Sequence, residues 1–225
     1  MMMELTILMP CLNEEKTVGT CVEIAAEYIH DHNIDGEVLV VDNGSTDASA
    51  AEAARAGAVV EPCADRGYGN ALRFGMKRAR GKYIIMGDCD MSYDFSALDS
   101  FMKCFRSGAE LVIGDRIHKD MIPGSMPWTH RYIGVPLLSM IGRRRYHTDV
   151  HDFHCGLRGI RKDTADRLTF TAEGMEFASE MIVVCARAGC RIEQVPVELH
   201  PDGRSGHSHL NAVRDGIRHL KVMSR

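Results

Sequence analysis

Apolar residues follow two rhythms along the first half of the chain. Short unbroken apolar runs alternate with longer stretches in which apolar residues recur every three or four positions. Leu5–Met9 is such a run, stopped by Pro10, and predicts a buried strand. Val18, Cys21, Val22, Ala25, Ala26 and Ile29 then recur at helical spacing, which predicts an amphipathic helix over Glu14–His30. Glu37–Val41 predicts a second strand, and Asp42–Asp47 a polar turn. Asp47 then caps an alanine-rich helix reaching Ala56. Ala58–Glu61 reads as a third strand and Asn70–Arg80 as a helix ended by Gly81. Tyr83–Met86 is a fourth strand, Phe95–Arg106 a helix and Glu110–Gly114 a fifth strand.

The second half is less regular. Ile117–Thr129 holds two prolines, Gly124 and the single tryptophan, Trp128, and reads as a loop or lid that orders over a bound ligand. Tyr132–Arg145 is expected to be helical despite Pro136. Glu173–Ala188 is expected as a helix and Ile192–Leu199 as a strand. The C-terminal segment repeats Leu210, Val213, Ile217 and Leu220 at helical spacing, with Arg214, Arg218, Lys221 and Arg225 between or after them. Such a helix either packs its stripe on the core or lies on a membrane surface. Arg143, Arg144 and Arg145 read as a solvated helix end or as a patch facing anionic lipid.

Strands alternating with helices imply an α/β domain with a mostly parallel central sheet flanked by helices. The 225 residues suit one domain, with a regular first half over residues 1–115 and a less regular second half over 116–225. In such sheets ligands bind beyond the carboxyl ends of the strands. Three polar clusters are predicted there: Pro10–Glu14, Asp42–Asp47 and Asp88–Asp90.

Composition narrows the choice of partners. A net charge of -4 argues against a nucleic-acid binder. No basic segment precedes the N-terminal apolar run, and no run nears the ~20 apolar residues of a membrane helix. A cytoplasmic location is therefore expected, with any membrane contact peripheral. The eight cysteines show no C-x-x-C spacing and are expected to be buried, reduced thiols.

Asp88 and Asp90, one residue apart after a strand, can both approach Mg²⁺ or Mn²⁺, which favour hard oxygen ligands and share their remaining positions with phosphates. An exposed acidic turn is the plain alternative. Asp42, at a strand end, can accept hydrogen bonds from a nucleobase or ribose. Gly67-Tyr68-Gly69-Asn70 opens a helix whose N-terminus would favour an anion. The first strand-to-helix loop has no glycine, which disfavours a nicotinamide or flavin enzyme. It also lacks the glycine-rich basic loop of a nucleotidyltransferase. His147, His151 and His154 lie within eight residues, without a recognisable zinc-ligand spacing.

Pro10–Glu15, Val40–Asp47, Gly67–Leu72 and Gly87–Asp90 together resemble family 2 of the glycosyltransferases, which have the GT-A fold. Asp152–Arg158, Met175–Met181, Val195–Val197 and Arg204–Ser208 resemble the dolichyl-phosphate mannose and glucose synthases and bacterial polyprenyl-phosphate relatives. The resemblance implies an inverting hexosyltransferase using a nucleoside-diphosphate sugar, a uridine diphosphate sugar first and GDP-mannose second. It also implies a polyprenyl or dolichyl phosphate acceptor. A hydroxyl acceptor, or a non-catalytic nucleotide-sugar-binding module, is the alternative. Carried over by position, Pro10, Leu12, Glu14, Asp42, Asn43, Gly69 and Asp88 line the nucleotide pocket, and Asp88 and Asp90 hold the metal. Arg116, Arg131, Arg204 and His209 bind phosphate or acceptor, so that residues 1–115 form the nucleotide-sugar-binding half and 116–225 the acceptor-binding half. The synthases usually carry a second acid at Asn43, a glutamine metal ligand at Ser92, a lysine at His209 and a serine at Val135. A hydroxyl acceptor would need a general base, for which Asp152 comes first and Glu180 second.

Overall fold

The computed structural model describes residues 3–117, 134–203 and 212–224. Seven strands among these form one sheet in the order β3-β2-β1-β4-β6-β5-β7. They are β1 Leu5–Cys11, β2 Gly36–Asp42, β3 Val59–Pro62, β4 Tyr83–Met86, β5 Leu111–Asp115, β6 Arg158–Arg161 and β7 Ile192–Pro196. Only β6 runs against its neighbours β4 and β5; every other pair is parallel. The expected α/β domain with a mostly parallel sheet is therefore present. The helices are α1 Val18–Asp31, α2 Ser49–Arg55, α3 Tyr68–Arg78, α4 Asp99–Arg106, α5 Val135–Tyr146, α6 Lys162–Arg167, α7 Phe177–Arg187 and α8 Ala212–Ser224.

Differences from the sequence pattern have local causes. Pro10 does not stop β1, which pairs with β2 through Cys11. The β4 ladder ends at Leu8, so the edge that Pro10 turns towards β4 needs no N–H there. Helix α1 starts at Val18 rather than Glu14: the residues before it form a turn in which the Glu14 carbonyl accepts the Thr17 and Val18 amides at 3.0 and 2.9 Å, while the Glu14 amide is donated to Ser49 Oγ at 2.7 Å. Helix α4 starts at Asp99 rather than Phe95, since the Asp94 carboxylate accepts the Ser96 amide at 2.8 Å and holds a turn. Gly81 is not a helix terminator: α3 ends at Arg78, and a Cβ on Gly81 would lie 2.3 Å from the Thr6 amide of β1. Pro136 falls in the first turn of α5, where its missing N–H has no intrahelical use.

Strand β6 and helix α6 carry no clear apolar pattern and are absent from the sequence expectation. Strand β7 leaves the sheet after Pro196 instead of continuing to Leu199. The chain then crosses the sheet edge: His200 donates its amide to the Ser92 carbonyl at 3.0 Å and Gly203 donates to the Asp90 carbonyl at 2.8 Å. The sheet interior is apolar on both faces, with Ile7, Leu8, Val40, Ile85, Val112 and Phe101 fully buried or nearly so.

Candidate active site

The register fixes where the polar loops lie. Cys11 is level with Asp42 and Leu8 with Met86, so Pro10, Asp42 and Asp88 end three adjacent strands at one edge. Strands are spaced about 4.8 Å apart, which puts β2 and β4 roughly 10 Å from each other across β1.

The first two loops hold each other. Asn13, with a left-handed φ of 58°, accepts the Thr46 amide on Oδ1 at 2.8 Å and donates its own amide to Ser45 Oγ at 3.0 Å. Glu15 donates its amide to Asp47, and its carboxylate accepts the Ala48 amide at 3.1 Å. Asp47 also accepts the Ser49 amide at 3.0 Å, so it serves the start of α2 and the neighbouring loop together. This lacing leaves Pro10 and Leu12 half-buried, Glu14 buried, and Asp42 half-buried with Oδ1 accepting the Ser45 amide at 3.1 Å. Asn13, Ser45 and Ser49 are thus positioning residues absent from the sequence expectation. The signal for them was the density of short polar side chains.

Asn43 and Gly69 serve the fold in ways the motifs did not reveal. The Asn43 side chain donates to the Asp65 carbonyl at 2.8 Å and accepts the Gly67 amide at 2.7 Å, so both ends of its amide hold the β3–α3 loop. The N-terminus of α3 is already capped: Gly69 and Asn70 donate their amides to the Glu173 carbonyl at 2.9 and 3.3 Å. A Cβ on Gly69 would lie 2.3 Å from the Ala172 carbonyl oxygen. Protein backbone therefore fills the place where an anion was expected.

Asp88 is half-buried among aromatic groups. A Cβ on Gly156 would sit 2.8 Å from Asp88 Oδ2 and 3.1 Å from Tyr93 Oη, so only glycine lets this segment approach the carboxylate so closely. Tyr93 Oη accepts the Gly156 amide at 2.8 Å. Burial, and then the Asp88 charge, lift the Tyr68 phenol well above its ordinary pKa. Asp90 is buried and its Oδ1 accepts the Ser92 amide at 3.0 Å. No group of three or more His, Cys, Asp or Glu able to hold a metal occurs among the described residues. A pair of carboxylates without a full protein cage fits Mg²⁺ or Mn²⁺, which complete their shell with water and substrate phosphates.

The acceptor-half candidates meet an unexpected arrangement. Asp152 is fully buried and takes a two-pronged ion pair from Arg116, Nε to Oδ2 at 2.6 Å and Nη2 to Oδ1 at 2.9 Å. Two residues assigned different roles are thus each other's partner. Burial pushes the Asp152 carboxyl up, but the charge and hydrogen bonds of Arg116 outweigh it and hold its pKa below the usual carboxylate range. That is the wrong direction for a general base. Glu180 is also engaged: its carboxylate accepts the Thr171 amide at 2.9 Å, the Thr171 hydroxyl at 2.7 Å and the Ala172 amide at 2.9 Å. It clamps the loop whose next carbonyl caps α3. Arg131, Arg204, His209 and, apart from Ile117, the expected lid lie outside the described residues.

The three histidines of the 147–154 segment part company. His147 is exposed at the end of α5, His151 Nδ1 lies 3.3 Å from Asp115, and His154 stacks edge-on against His219 of α8 with ring centroids 4.4 Å apart. Both His154 ring nitrogens are shut off from solvent without a hydrogen bond. Burial, then His219, push its pKa down to about 3.

The mostly parallel sheet with polar loops at its strand ends defines the class as α/β, and comparison with known proteins gives the family. The profile of Glycosyl transferase family 2 matches residues 6–169, and the chain belongs to that family. It is 39% identical over 220 residues to the low-salt glycan biosynthesis hexosyltransferase Agl6 of Haloferax volcanii, covering 97% of this chain and 52% of that protein. The chain thus spans about half the length of Agl6. A dolichyl-phosphate hexose transferase of the same organism is 28% identical over 215 residues, 95% of this chain and 89% of that protein. Glucosyl-3-phosphoglycerate synthase from Mycobacterium tuberculosis, solved with Mn²⁺, UDP-glucose and phosphoglyceric acid, superposes with a TM-score of 0.75 at 20% identity. The match covers 99% of this chain and 78% of that one. The fold is the GT-A fold of these glycosyltransferases.

Proposed function

We propose that the protein is an inverting hexosyltransferase that moves a sugar from a nucleoside-diphosphate sugar, UDP-sugar first, to a polyprenyl or dolichyl phosphate. The observation that carries the proposal is the convergence of Asp42 and the Asp88–Asp90 pair at one edge of the sheet, beyond β2 and β4 on either side of β1. Asp42 would receive the nucleoside, with Pro10 and Leu12 beside it and Glu14 fixing the loop. Asp88 and Asp90 would hold Mg²⁺ or Mn²⁺, which when bound offsets the charge gathering on the departing diphosphate. The Mn²⁺ and UDP-glucose of the mycobacterial synthase support the same assignment by likeness of fold.

The acceptor assignment draws on two observations. One relative of near-equal span is a dolichyl-phosphate hexose transferase. The other is the state of the two candidate bases, one locked in an ion pair and the other spent on a loop. An acceptor that is already an anion needs neither. Its phosphate oxygen attacks the anomeric carbon, the bond from that carbon to the donor's diphosphate oxygen breaks, and the nucleoside diphosphate leaves. Arg131, Arg204 and His209 are assigned to the phosphates, while Arg116 acts by holding Asp152.

The test is transfer from labelled UDP-glucose, UDP-galactose and GDP-mannose to a short-chain polyprenyl phosphate or to its free alcohol, with Mn²⁺. Label passing to the phosphate alone is expected. Transfer to the alcohol alone would overturn the acceptor assignment and require a base other than Asp152 or Glu180.

A further inference from the structure

Helix α8 does not spend all its apolar residues on the core. His219, Val222 and Met223 are buried, yet Ile217 and Leu220 are 61% and 42% exposed. Helix α5 shows the same division: Ser139 and Gly142 face inward while Leu137 and Met140 are 49% and 44% exposed. These four make up most of the large hydrophobic side chains exposed among the described residues, the others being Val59 and Ile117. The two helices are fastened together. Tyr146 donates its hydroxyl to the Met223 carbonyl at 2.8 Å, and Arg145 donates to the Ser224 carbonyl at 2.9 Å.

Each exposed pair is three residues apart and so lies on one face of its helix. Each stripe then ends in a cation on the same face. Arg144 follows Met140 by four residues and Lys221 follows Ile217 by four; both are exposed, and neither has a carboxylate partner among the described residues. Arg143, also without such a partner, adds a further cation beside them. A core-packing helix would bury these apolar residues, and an ordinary solvated face would not carry them.

We infer that α5 and α8 together form one docking surface for an anionic lipid bilayer. Leu137, Met140, Ile217 and Leu220 enter the acyl boundary, and Arg144 and Lys221 reach the headgroup phosphates. Charge complementarity selects this occupant: cations at the ends of apolar stripes, without a carboxylate partner among the described residues, match an anionic interface. The placement also suits the site. Helix α5 follows the chain leaving β5 beside Arg116, and α8 follows the segment pinned to the Asp90–Ser92 loop. In purpose this deepens the lipid-phosphate acceptor proposal, but it makes its own claim about a surface.

The test is co-sedimentation of the protein with vesicles of phosphatidylcholine alone or mixed with phosphatidylglycerol, at low and high salt. Binding to the mixed vesicles only, weakened by salt, is expected. Arg144→Gln with Lys221→Gln should weaken it on the order of twenty-fold, from about fivefold per charge near an anionic surface. Ile217→Glu with Leu220→Glu should abolish it while leaving thermal stability and transfer to a soluble short-chain acceptor unchanged. Equal sedimentation of wild type and variants would overturn the inference. So would failure to bind anionic vesicles, including the case where the wild type forms a dimer that the glutamate variant breaks. A wild type that transfers sugar to the polyprenyl phosphate but does not bind anionic vesicles refutes the surface alone; a wild type that binds them without any transfer refutes the acceptor assignment alone.

Discussion

At the scale of single residues, the Asp152–Arg116 pair decides how the second half of the chain is understood. Removing one partner of a buried ion pair leaves an uncompensated charge, so Asp152→Ala should cost about 3–5 kcal/mol in chemical denaturation. A base without a structural role would instead lose activity at unchanged stability. Because the folded carboxyl has a lowered pKa, its contribution is present above the usual carboxylate pKa of about 4 and is lost as pH falls through the folded value. His154 acts in a higher window. Its folded pKa is pushed down to about 3, below the ordinary value of 6.5. The unfolded chain therefore binds the extra proton first. Stability from the neutral ring is complete above about pH 6.5 and declines as pH falls from there towards 3. Denaturation midpoints across pH 4–8 should fall on the acid side in the wild type and flatten in His154→Phe, within that interval.

At the scale of elements, loops hold loops. Glu180 clamps residues 171–172, whose neighbour Glu173 caps α3, while Asn43 holds the other side of the same turn at Gly67. Gly69→Ala would drive a methyl group into the Ala172 carbonyl and should cost about 1–3 kcal/mol as the two segments part. Loss of donor affinity without loss of stability would contradict this and restore the phosphate-binding role. The regular strands and helices of the first half were legible because buried runs and helical spacing are strong signals there, as at β4, whose bounds match the expectation. Strand β6 was not legible: Arg158-Gly159-Ile160-Arg161 reads as polar, yet Arg158 is buried by donating to the Cys155 and Ala178 carbonyls. The three site loops were legible because short polar clusters after apolar runs mark strand ends. What each polar residue does within them was not, since Asn43, Gly69, Asp152 and Glu180 take partners distant in sequence.

At the scale of the molecule, the sheet supplies the level edge on which Asp42, Asp88 and Asp90 stand, and the chain after β7 returns to brace the last of them. No helix among the described residues is long and apolar enough to cross a membrane. A donor and metal shared between these strand ends would couple them, and anything that binds the folded state alone raises its apparent stability. The most direct test is a thermal shift with uridine, guanosine and cytidine diphosphates and their sugars, with and without Mn²⁺. Asp90→Asn, which keeps an acceptor for the Ser92 turn, serves as the control. A Mn²⁺-dependent rise with one nucleotide, uridine first, lost in Asp90→Asn, is the predicted result. A rise that ignores both Mn²⁺ and Asp90, or no rise with any nucleotide, would contradict a metal-dependent nucleotide-sugar site at this edge.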